Sequence, residues 1–131
     1  MKTTFVIPLL IGILICSSPG FAHHSFLTQY DPDTGISIEG VVTEVWFQNP
    51  HSRVYVEVTE KDGKKALWET ETYPRNILAR RGWMYNDLNE GDVVVVTGRR
   101  ARNGDNRLQI MTIVRPSDGW EGVGFEPDSI D

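Results

Sequence analysis

The residues of this chain best suited to chemistry are its three histidines, and they occupy two places: His23 and His24 side by side, and His51 alone. The pair follows a distinctive N-terminus. Met1-Lys2 supplies a positive start, Phe5 to Cys16 is an almost unbroken apolar run, and Ser17-Ser18-Pro19-Gly20-Phe21-Ala22 is a small, helix-breaking exit. That is the pattern of a secretory signal peptide, with Gly20 and Ala22 at the small-residue positions before the cut. Removal of residues 1–22 would make His23 the first residue. The amine and ring Nδ1 of an N-terminal histidine form a chelating pair, and a second imidazole completes a three-nitrogen set. Such a histidine brace suits Cu(II), which prefers nitrogen ligands in a tetragonal geometry. His51 is the natural second imidazole, and His24 is the other candidate. Residues 23–35, extended, span roughly 40 Å at about 3.3 Å per residue, enough to return to the turn that holds His51. Asp31 and Glu44 are available as oxygen ligands, although no spacing argues for either. No structural zinc pattern exists, because the lone Cys16 leaves with the signal. The plainer alternative is a solvated N-terminal pair and a His51 that caps its own turn.

Three further groups deserve weighing. Trp46, Phe47, Tyr55, Trp68, Tyr73 and Trp83 crowd the middle of the chain. Tyr55 has the parity of the polar side of its strand and is the best candidate for an exposed stacking surface, with Trp68 ambiguous. The simpler reading places Trp46, Trp68 and Trp83 in a core that has no disulfide to help it. Arg99, Arg100 and Arg102, with Arg107, flank Asn103-Gly104 and make a basic cluster fit for an anionic ligand. Set against that is a solvated hairpin whose charges discourage edge pairing. Glu69 and Glu71 share one strand face, but no positioned partner or cleft is visible for paired-carboxylate catalysis, which is rejected. No catalytic triad, phosphate loop or dinucleotide glycine pattern occurs, so an enzyme is not expected.

The elements that must position these groups are mostly strands. Ile36 to Glu39 alternates apolar and polar, Gly40 interrupts, and Val41, Val45 and Phe47 continue on the other parity. This predicts one long strand, bulged at Gly40, serving two sides of a curled sheet. Asn49-Pro50-His51-Ser52 ends it. Val54 to Thr59 alternates, Asp62-Gly63 marks a hairpin, and Trp68 and Thr70 share a face of the strand Ala66 to Thr72. A helix of about two turns fits between Pro74 and Gly82. Val93 to Gly98 carries four consecutive valines, which argues burial or closure on both faces. Asn103-Gly104 turns into Leu108 to Val114. Five strands, with a helix between the third and fourth, predict an all-β, OB-like barrel over residues 23–115, of which 23–35 form an N-terminal extension. A small SH3-like barrel or an open half-barrel is the competing architecture, for which the helix position is awkward. The Gly-, Pro- and acid-rich segment 116–131 is expected to be a loosely ordered tail.

Composition narrows the function. Cleavage leaves 109 of 131 residues, one domain's worth, and takes the formal charge from −5 to −6. That acidity argues against nucleic-acid binding, which needs excess Lys and Arg. The apolar run of about 12 residues is too short for a bilayer span of roughly 20, so no transmembrane segment is expected after processing. Ile15 before Cys16 also argues against lipid attachment.

Ala22-His23-His24-Ser25-Phe26 with Tyr30-Asp31, Gly40-Val41-Val42, Asn49-Pro50-His51, Trp68-Glu69, Leu78 with Gly82-Trp83, and Gly91-Asp92 together resemble a family of small exported bacterial proteins of unknown function. The resemblance implies a periplasmic or secreted cell-envelope protein and supplies no activity, cofactor or catalytic residue. The expectation is therefore a monomeric, non-enzymatic binding domain for a small ligand or an envelope protein. Its metal site would be His23, His51 and His24, with copper as the metal. The alternative is a protein or glycan interaction module using the aromatic face or the arginines, without metal.

Overall fold

The computed structural model describes residues 28–126. The expected signal segment, His23, His24 and the last five residues lie outside the described residues. β1 (Tyr30–Trp46) is a 17-residue strand that serves two neighbours. Its first part pairs with β4 (Val93–Ala101) through Gly35 to Val41, and its last part pairs with β2 (Ser52–Thr59) through Val41 to Trp46. β2 pairs with β3 (Lys65–Thr72), and β4 with β5 (Arg107–Arg115), all antiparallel. A short parallel pairing of β3 with β5 closes a ring of five strands in the order β1-β2-β3-β5-β4. Alternation then sorts the side chains. Val54, Val56, Trp68, Thr70, Val94, Val96, Leu108 and Ile110 are buried within the ring. The helix α1 (Arg75–Arg80), between β3 and β4, contributes Leu78 to that core.

The bend in β1 falls slightly later than the sequence suggested. Ile38 and Val42 share the buried parity, Val41 is exposed, and the register slips between Val42 and Glu44. Thr43 is therefore the bulged residue. Gly40 does a different job, because a Cβ there would lie 2.4 Å from the Glu57 carbonyl oxygen, so it lets β1 press against β2. Nor are the four valines buried on both faces. Val94 and Val96 are fully enclosed, while Val93 is 47 % exposed.

Pro74 precedes the helix as its N-cap rather than forming its first residue. Gly82, at φ +89°, turns the chain out of it, and the Trp83 N–H donates to the Leu78 carbonyl oxygen. Trp83 thereby folds onto the core, where the simpler reading of the sequence places it.

The largest departure is the C-terminal segment, which carries a sixth strand, β6 (Trp120–Val123), paired with β5. Gly122 and Gly124 read as loose chain but are sites of close packing. A Cβ at Gly122 would lie 2.2 Å from the Trp83 ring. Trp120 meets Trp83 edge-on at 5.3 Å, and Phe125 lies 3.9 Å from Tyr73, centroid to centroid. Arg115 ties the turn down through Asp92 and Asp118.

Gly98 tests the tightness of the ring, because a Cβ there would meet the Gln109 carbonyl oxygen at 1.9 Å. Gly98→Ala is expected to cost about 3 kcal/mol in urea unfolding, through forced separation of β4 from β5. A loss below about 1 kcal/mol, the range of an ordinary substitution, would show that the strands part easily.

Candidate functional site

The parallel seam that closes the ring is short: Glu69 faces Arg107, Thr70 faces Leu108, and Glu71 faces Gln109. Thr70 and Leu108 point inward, and the Thr70 hydroxyl donates to the Val54 carbonyl oxygen at 2.7 Å. On the outer side the seam gathers charge. β2 brings Arg53 and Tyr55 alongside Glu71 and Glu69, and the loop before it brings His51. The first residue of β1, Tyr30, joins them.

Glu71 is the hub. Its side chain is only 6 % exposed. One carboxylate oxygen, Oε1, lies 2.8 Å from His51 Nδ1. The other, Oε2, accepts a hydrogen bond from the Tyr30 hydroxyl at 2.8 Å and lies 3.5 Å from Arg107 Nη2. Arg107 also reaches Glu69 Oε1 through Nε at 3.3 Å, and Arg53 Nε reaches the same oxygen at 3.3 Å. Two carboxylates and two guanidiniums thus balance, as buried charge requires. The His51 ring is turned so that its Nδ1–H does not run straight at the carboxylate, making the contact more electrostatic than directional. Even so, Nδ1 faces Glu71 and Nε2 faces away from it. A carboxylate this close to one ring nitrogen favours the ring orientation that leaves the other nitrogen free for a ligand.

Tyr30 is 1 % exposed. Burial pushes its hydroxyl far above the usual tyrosine range, and the charge of Glu71 and the hydrogen bond to it push the same way. It therefore stays a neutral donor through ordinary conditions. Next to this cluster Trp46 meets Tyr55 edge-on at 5.3 Å, with the Arg53 guanidinium 5.8 Å from the Trp46 ring.

The other candidates are placed variously. Trp68 is 8 % exposed, with Arg100 over its ring at 5.3 Å, so it packs in the core and offers no open stacking face. Tyr55 is half-buried on the outer face, as its parity implied. Arg99 and Arg100 do not converge, because neighbouring residues on β4 point to opposite faces, and Arg102 lies in the turn beyond that strand. Arg100 turns to Trp68 and to the Gly104 carbonyl oxygen. Asp31 accepts from the Asp33 N–H and the Thr34 hydroxyl, which engages both its oxygens in a local turn. Glu44 is bonded to the Trp46 indole. Among the described residues no three His, Cys, Asp or Glu side chains cluster as a metal centre.

Tyr30 and the partners of Glu69 and Glu71 escaped the sequence reading. The available signal was the Glu-Thr-Glu run after Trp68, since carboxylates on so enclosed a strand need partners. Tyr30 supplies a test by pH. Its folded-state pKa is raised, so its contribution to stability is complete below the unfolded value of about 10 and is lost as pH rises past it. Urea unfolding from pH 8 to 11 should show a steeper alkaline loss for the natural chain than for Tyr30→Phe. At pH 7 that variant should be about 1–3 kcal/mol less stable, and parallel pH curves would contradict the buried donor.

No curated protein matches the chain. Among solved structures, the mitochondrial single-stranded DNA-binding protein Rim1 of S. cerevisiae is similar at 15 % identity and a TM-score of 0.47, covering 61 % of this chain and 90 % of that one. That likeness is too slight to inform function. No helix among the described residues is long and apolar enough to cross a membrane. The profile of a family of unknown function, DUF6152, matches residues 12–109, and the chain belongs to that family.

Proposed function

We propose that this is an exported, non-enzymatic OB-like barrel that binds Cu(II) or a related transition metal through His51 and the N-terminal histidines. The observation that carries the reading is the carboxylate behind His51. Metal-ligating imidazoles regularly hold their second nitrogen against a carboxylate, and Glu71 stands 2.8 Å from Nδ1. A second observation supports it. The Tyr30 hydroxyl bonds the same carboxylate, which anchors the start of β1 beside His51. His24 and His23 lie six and seven residues before that anchor, within a reach of roughly 20 Å. The tether is much shorter than the sequence alone required. Cleavage after Ala22 would give His23 the free amine of a brace, and the protein would then store, sense or hand over metal in the cell envelope. The carboxylates beside Arg53 and Arg107 also offset the positive charge a phosphate backbone would need.

Titration of the protein beginning at His23 with Cu(II) tests this. Tight binding is expected, weakened about 10- to 100-fold by Glu71→Gln, which removes the charge behind the ring but keeps its shape. Binding that is micromolar or weaker, and unchanged in His51→Ala, would reject the site.

A second reading rests on Trp46, which is 36 % exposed and packs against Tyr55 and Arg53. Such a surface fits an interaction module for a protein or glycan, without metal. In that case Tyr55→Ala abolishes partner capture and His23→Ala leaves it intact; the reverse pattern returns the assignment to the metal.

A further inference from the structure

An open groove of about 480 Å³ runs between the end of β1, α1 and the loop after Gly82. Its lining is Val45, Phe47, Ala79, Trp83, Met84 and Tyr85, with Arg75 as the sole charged member. We infer that this groove binds an aliphatic carboxylate, a fatty-acid-like anion whose chain lies along the apolar wall and whose head meets Arg75. The assignment is independent of the metal reading and shares no residue with it.

Three observations carry it. Met84 and Tyr85, neighbours in sequence, are 61 % and 77 % exposed, an unusual cost in apolar surface for so small a domain. The wall they form is held in place before any ligand arrives. The Met84 N–H donates to Asp87 Oδ2 at 2.6 Å, and the Asp87 N–H donates back to the Met84 carbonyl oxygen at 3.1 Å. Preorganisation of this kind lowers the cost of binding. Finally, the Arg75 guanidinium has no ion pair among the described residues, although its backbone N–H is bonded to the Gln48 carbonyl oxygen. In an acidic chain, a cation unpaired among the described residues and set at an apolar groove suits a ligand with one anionic head and a long apolar body. The volume is within the usual range for small-molecule sites.

Calorimetric titration with laurate, and with dodecyltrimethylammonium as the cationic counterpart of similar chain length, tests the inference. Laurate should bind with one-to-one stoichiometry and the cation much more weakly. Arg75→Ala should weaken laurate about tenfold, the scale of one charge-assisted hydrogen bond, and should bring the binding of the cation closer to it. Met84→Ser should weaken both. Equal binding of the two amphiphiles, or laurate weaker than about 1 mM, would overturn the assignment. So would self-association, or binding to anionic vesicles alone, that Met84→Ser abolishes without any laurate site. Should the Arg75 variant fail to fold, the comparison of the two amphiphiles on the natural chain still decides.

Discussion

A barrel of five strands must close, and here it closes on three residue pairs between β3 and β5. Inside the closure, Thr70 and Leu108 are fully buried; outside it, Glu71 is nearly so. A carboxylate in that position is a liability unless each of its oxygens is engaged. The rest of the outer surface answers this demand. Tyr30, His51 and Arg107 come from the start of β1, the loop before β2 and the start of β5, and all meet one side chain. The same ion pairs that make the seam tolerable also hold it shut.

This constraint accounts for the coupling between architecture and candidate chemistry. A histidine whose only duty was to cap a turn would have no need of a buried carboxylate. A clasp whose only duty was closure would have no need of a half-exposed imidazole. On the proposed reading the cluster does both, since the carboxylate bonded to Tyr30 also faces His51 Nδ1. The aromatic pair of Trp46 and Tyr55 stands beside it, linked through Arg53, so the outer face of β2 and β3 is a continuous polar and aromatic surface.

Much of the ring was legible in the chain. Alternation at Val54, Val56, Trp68 and Thr70, the turn residues at Asp62-Gly63 and Asn103-Gly104, and the Pro74 to Gly82 interval all express local rules. What was not legible depended on long-range contacts. The Thr43 bulge arises from how β1 passes from β4 to β2, which no window of sequence contains. Gly122 looked like a loop residue until Trp83 was placed against it. The partners of Glu71 are 41, 20 and 36 positions away, at Tyr30, His51 and Arg107, and parity says only which face each side chain takes. The site was therefore visible as separate residue types and invisible as a constellation.

The account rests on Glu71 holding His51 by Nδ1, and the tautomer of the neutral ring reports this directly. Long-range ¹H–¹⁵N correlation of the imidazole, with His51 assigned through His51→Gln, is expected to show the proton on Nδ1 and the lone pair on Nε2. It should also show the preference weakened when Glu71 is replaced by Gln. A neutral ring protonated on Nε2, indifferent to that replacement, would contradict the account.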